Sequence, residues 1–114
     1  MPNQMFDNPQ VITNDMLREA NRKPTYEDAL GLVLDEIKET ILRRHKRYGH
    51  NLLRHGEMGI IIRVDDKTER IKNMIEAKED DAEEPREQTW IDVAGYAVQA
   101  IMIGRGDFIL PMRS

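Results

Sequence analysis

Three groups of polar side chains stand beside apolar stripes at helical spacing, and each suits phosphate or metal chemistry. Glu36 and Glu39 are three residues apart, about 60° around a helix, so both carboxylates can reach one point. Clustered carboxylates repel each other, and Mg²⁺ relieves that repulsion while taking its other ligands from water and phosphate oxygens. The same pair equally suits a solvated face on which Glu39 meets Arg43 one turn later. Farther along, Arg63, Lys67 and Arg70 put three cations on one strip, with Asp66 among them. An arginine fork matches phosphate oxygens two at a time, and lysine acts as a point charge. Asp66 and Arg70 also have the spacing of an ordinary surface ion pair. The third group is Gln88, Asp92, Tyr96 and Gln99. Asp92 adjoins positions that read as core, so its carboxylate needs either a cation or a metal beside it.

The elements that must position these groups are all helical. Residues Gly59 to Arg70 begin with an apolar run, Ile60-Ile61-Ile62, and end in dense charge. They never alternate at a period of two, so a strand fits poorly. At about 100° per residue, Ile60, Val64, Ile71 and Ile75 fall on one face, with Arg63, Asp66, Lys67 and Arg70 beside it. Burying one isoleucine gains more than three β-branched residues cost in helix propensity. A longer helix is expected from about Tyr26 to Arg47, with Leu30, Val33, Leu34, Ile37 and Ile41 on its stripe. Thr25 caps its start, with acids in the first turn. Arg43, Arg44, Lys46 and Arg47 near its end either answer the helix dipole or reach a phosphate. Gly49 reads as a left-handed cap, and Gly56 and Gly59 as breaks. A last helix is expected over residues 86–103, turning Trp90, Ala94, Ala97, Val98 and Ile101 to the core. Between the two, residues 78–85 form an acidic linker with nothing apolar to pack, expected to be solvated. His45, His50 and His55 stand five apart, about 140° on a helix, and are not expected to share a face.

A chain of 114 residues has room for one domain. With 39% hydrophobic residues, one Trp, two Phe and three Tyr, its core should be thin, and a homodimer is expected. It contains no cysteine, which removes disulfides, zinc-thiolate sites and thiol nucleophiles together and suits a reducing cytoplasm. No apolar run is long enough to span a membrane, and the first residues lack a signal pattern. The net charge of −4 argues against a nucleic-acid coat, which needs many cations on one surface.

Taken together, Lys46-Arg47-Tyr48-Gly49, Gly56, Gly59-Ile60, Arg63-Val64-Asp65-Asp66-Lys67, Arg70, Asn73 and Thr89-Trp90-Ile91-Asp92-Val93-Ala94-Gly95-Tyr96-Ala97 form an ordered signature. It resembles the nucleotide modification associated domain of the first type, a small helical family common in bacteriophage genomes, over about residues 25–103. That family is distantly similar to the all-helical (MazG-like) nucleoside triphosphate pyrophosphohydrolases, which hold Mg²⁺ with a Glu-x-x-Glu pair and a later Glu-x-x-Asp pair. Glu36-x-x-Glu39 matches the first pair. In the second only Asp92 is present, with Thr89 three residues before it and Gln88 in place of an acid.

The expectation is an all-α protein: a compact helical bundle of three to four main helices with an extended N-terminal arm. Residues 1–24 make the arm and a short helix, 25–103 the nucleotide-handling domain, and 104–114 an apolar tail. The resemblance implies a cytoplasmic, phage-type protein with Mg²⁺-dependent pyrophosphohydrolase-like activity, or else one that binds a nucleotide or cyclic nucleotide without chemistry. Glu36, Glu39 and Asp92 would be the catalytic metal ligands. Lys46, Tyr48, Arg63, Asp66, Lys67, Arg70 and Tyr96 would contact substrate.

Overall fold

The computed structural model describes residues 25–113, so the expected arm and short helix lie outside the described residues. Three helices follow one another: α1 (Tyr26–Tyr48), α2 (Gly56–Ala77) and α3 (Arg86–Arg105). Short 3₁₀ segments, Gly49–Arg54 and Asp107–Ile109, follow α1 and α3. No strand occurs among the described residues, and the fold is an all-α bundle. The Thr25 hydroxyl accepts a hydrogen bond from the Asp28 N–H at 3.1 Å, starting α1 as its sequence indicates. Gly49 closes it at φ 60°, donating its N–H to the His45 carbonyl.

Gly59 does not break the chain but sits inside α2. Its missing side chain has a local steric reason, because a Cβ there would lie 2.7 Å from the Cβ of His55, the residue that caps the same helix one turn earlier. Gly59→Ala should therefore lower stability by about 1–2 kcal/mol, although alanine is the better helix former by about 1 kcal/mol. Equilibrium urea unfolding checks this, and a stabilised variant would show that His55 yields freely.

The core is as thin as composition suggests. The buried hydrophobic residues among those described are Ile60, Ile71 and Phe108. Ile60 and Ile71 come from the expected face of α2, and Phe108 anchors a tail whose Ile109, Leu110 and Met112 are exposed.

The last helix is rotated from expectation. α3 packs against both α1 and α2, and the residues it buries are Arg86, Thr89, Asp92, Gly95 and Gln99. The expected core stripe faces outward instead: Trp90 is 39% exposed, Val98 39% and Ile101 55%. Local satisfaction makes the inversion affordable. The Thr89 hydroxyl donates to the Pro85 carbonyl at 3.3 Å, and the Gln99 amide donates to the Gly95 carbonyl at 3.0 Å. Both polar groups therefore enter the interior already paired. α1 lies close to Gly95, where an added Cβ would just reach van der Waals contact with Ile41 at 3.4 Å.

Candidate functional site

Asp92 is the hub of the interior. Its side chain is 2% exposed, and it meets cations from both neighbouring helices: Arg44 of α1 at 2.9 Å and Lys67 of α2 at 3.3 Å. Of the two partners its position allows, the structure supplies cations. The Arg44 contact is an ion pair by distance, although Asp92 Oδ1 accepts no well-aligned hydrogen bond.

The acidic linker is not simply solvated. Lys67 donates to the Glu84 carboxylate at 3.0 Å, and Arg70 donates to the Glu84 carbonyl at 2.6 Å and reaches Asp81 at 3.5 Å. Asp80 accepts the Arg86 N–H at 2.8 Å, and Asp81 accepts the Glu83 N–H at 2.9 Å. Opposed charge, rather than apolar contact, folds residues 80–84 over the cationic strip of α2. Arg70 thus pairs across to the linker, where the spacing alone suggested Asp66.

These contacts shift ionisation. Burial pulls the Lys67 ammonium down, but the Glu84 hydrogen bond and the charges of Asp92 and Glu84 outweigh it, leaving Lys67 above its ordinary value. The Lys67 hydrogen bond holds the Glu84 carboxyl below its ordinary value of 4.5, and the Glu83 N–H does the same for Asp81. The Glu84 and Asp81 contributions are present above the ordinary carboxyl range and lost as pH falls through the lowered folded values. The Lys67 contribution is full below 10.5 and lost as pH rises through its raised value. The denaturation midpoint should accordingly fall on acidification below about pH 4.5, and less steeply in Glu84→Gln. An identical acid limb in that variant would show that the linker clamp carries none of it.

Beside the hub opens a pocket of about 490 Å³, within the size range of small-molecule sites. The end of α1 gives it Arg44, His45 and Tyr48, the following 3₁₀ segment Asn51 and Leu52, α2 Arg63, and α3 Tyr96 and Gln99. Three of the expected contact residues therefore meet here: Tyr48, Arg63 and Tyr96. Lys67 and Arg70 are engaged by carboxylates, while Lys46 and Asp66 are exposed and do not line the pocket.

Arg44, His45 and Asn51 line the pocket without having been assigned to it from the sequence, and Gln99 joins it from the polar strip of Asp92 and Tyr96. Arg44 had a signal, since it lies in the basic cluster, but the dipole explains such clusters equally well. The histidines had none. His45 and His50 come together with ring centroids 5.5 Å apart, and His45 meets the Phe108 ring edge-on at 5.1 Å. Gly49 ends α1 and turns the chain between them, so the angular spacing of a straight helix does not apply.

The implied Mg²⁺ ligands are not assembled. Glu36 and Glu39 are exposed on α1, and among the described residues no three His, Asp or Glu side chains group so as to hold a metal ion. Two cations already share the Asp92 carboxylate. Glu36, Glu39 and Asp92 as arranged do not fit a common Mg²⁺ site.

Comparison with protein-family models, curated proteins and solved structures finds no match to this chain. Among the described residues no helix is long and apolar enough to cross a membrane.

Proposed function

We propose that this protein binds a phosphate-bearing nucleotide in the pocket between α1, α2 and α3. The carrying observation is that two arginines, Arg44 and Arg63, and two tyrosines, Tyr48 and Tyr96, converge on one pocket of about 490 Å³. Guanidinium groups recognise phosphate oxygens in pairs. Tyrosine rings give a base a flat apolar surface at low entropic cost, and the Asn51 and Gln99 amides offer both donors and acceptors to its edge. Asp92 contributes by holding Arg44 from behind, so its guanidinium is oriented before ligand arrives. The resemblance to a phage-associated nucleotide domain points the same way and implies the host cytoplasm as the working compartment.

Binding without chemistry is the reading that this residue set supports best. Mg²⁺-dependent pyrophosphate release is the second, motivated by Glu36 and Glu39 lying three residues apart and both exposed on α1. Calorimetry with nucleoside triphosphates, monophosphates and cyclic nucleotides, with and without EDTA, tests both, followed by mass spectrometry of the recovered ligand. Binding that survives EDTA and returns intact ligand is expected. Pyrophosphate formed only with Mg²⁺ transfers the assignment to hydrolysis, and no heat with any nucleotide removes both.

A further inference from the structure

We infer that the N-terminal half of α1 is a homodimer interface in which two copies of this helix pack antiparallel. The bundle covers the apolar stripe of α1 along only part of its length. In the second half of the helix Thr40 is buried and Ile41 lies beside Gly95 of α3. In the first half Tyr26, Leu30, Val33 and Leu34 carry the same stripe forward, yet they are 80%, 47%, 48% and 53% exposed. Together with the half-buried Ile37 they span about 100° around the helix. An amphipathic helix turns such a stripe to a core. On a chain with three buried hydrophobic residues among those described, an apolar face of this length marks an interaction surface.

Charge and symmetry select a second copy as its occupant. Glu27 and Lys38, both exposed, flank the face on the same side, about 20° apart around the helix. Asp28, Asp35, Glu36 and Glu39 all lie more than about 100° from the centre of the face, so they do not enter the contact. A two-fold interface must be complementary to itself, and a two-fold axis passing midway between Leu32 and Val33 makes this face so. It sets the Glu27 of each copy level with the other's Lys38, giving two opposed ion pairs. Val33 then meets its own counterpart close to the axis. Along the helix, Leu30 comes within about 2 Å of the other copy's Leu34, and Tyr26 within about 3 Å of the other copy's Ile37. Parallel packing would instead set Glu27 against Glu27 and Lys38 against Lys38, like against like. The antiparallel arrangement also opposes the two helix dipoles. It leaves Thr40 and Ile41 to α3, so the two contacts occupy successive stretches of one stripe.

The experiment is sedimentation equilibrium of the full chain, combined with cysteine cross-linking that starts from a cysteine-free background. The wild-type protein should sediment at twice the chain mass, and Leu30→Glu at the chain mass with its helical circular dichroism retained. Cross-linking with a short bismaleimide reads the orientation from the rim of the face. Glu27→Cys mixed with Lys38→Cys should give covalent dimer, while neither variant alone does, because like positions stand roughly 16 Å apart along the axis. A monomeric wild type overturns the inference, as does Leu30→Glu that remains dimeric. Self-cross-linking of either single variant without a mixed product overturns the antiparallel pairing. If the wild type is monomeric and Leu30→Glu lowers its melting temperature, the face is covered within one chain, with residues 1–24 as its occupant, and the inference falls.

Discussion

Asp92→Ala is expected to destabilise the protein by about 2 kcal/mol, a fall in melting temperature of roughly 10 °C for a domain of this size. Two effects add. The carboxylate that compensates Arg44 and Lys67 disappears, leaving a gap in the interior, and these two cations, 38% and 26% exposed, then repel each other with partial screening by water. An exposed ion pair would lose far less, typically under about 1 kcal/mol. What places Asp92 in the costly class is its 2% side-chain exposure. Asp92→Asn keeps the shape but not the charge, so it should recover only the packing part of the loss. Pairing Asp92→Leu with Lys67→Met should recover more than either single change predicts, because it removes opposed charges together. Urea unfolding compares Asp92→Ala, Asp92→Asn, the double variant and its two single parents. A loss below about 1 kcal/mol for Asp92→Ala would mean that the hub is solvated and contributes as a surface pair does.

Arg63→Ala should weaken nucleotide binding roughly 10- to 100-fold while leaving stability within about 0.5 kcal/mol of wild type. Arg63 is exposed and lines the pocket, so a charged hydrogen bond to phosphate is what its truncation would remove. Arg44→Ala should lower affinity and stability together, because Arg44 serves both the pocket and Asp92. Lys67→Ala should reverse the Arg63 pattern, losing stability with little change in affinity, as its ammonium is committed to Glu84 and Asp92. Calorimetry beside urea unfolding separates the three. Equal affinity losses at Arg63 and Lys67 would restore the whole α2 strip as the phosphate site and argue against the pocket.

Local signals made the helices legible. Thr25 before Glu27 and Asp28 marks one start, Gly49 marks one end, and the spacing of Ile60 and Ile71 identifies the buried face of α2. These features act within a few residues along one helix, which is the range over which a sequence can be read directly. The site was only partly legible. Tyr48, Arg63 and Tyr96 reach the pocket as expected, whereas Lys67 and Arg70 reach Glu84 and Asp81, seventeen and eleven residues away in the chain. No periodicity within α2 encodes that the linker folds back over it.

The rotation of α3 carries the same lesson. Hydrophobicity predicts which side of a helix avoids water, but not whether that side meets its own chain or another surface. In α3 the polar side turned inward because Thr89 and Gln99 pair with their own helix and Asp92 found two cations. The amino-acid sequence by itself determined that the protein is helical, where two of its helices begin and end, and that its clustered arginines, lysines and carboxylates lie on helices beside apolar stripes. Only the tertiary structure decided which cations stay available to a ligand, which carboxylates neutralise the others, and which face of α3 is left outside. Those outcomes depend on charges and surfaces brought together from distant parts of the chain, and each is settled by the balance between desolvation and pairing at the point of contact.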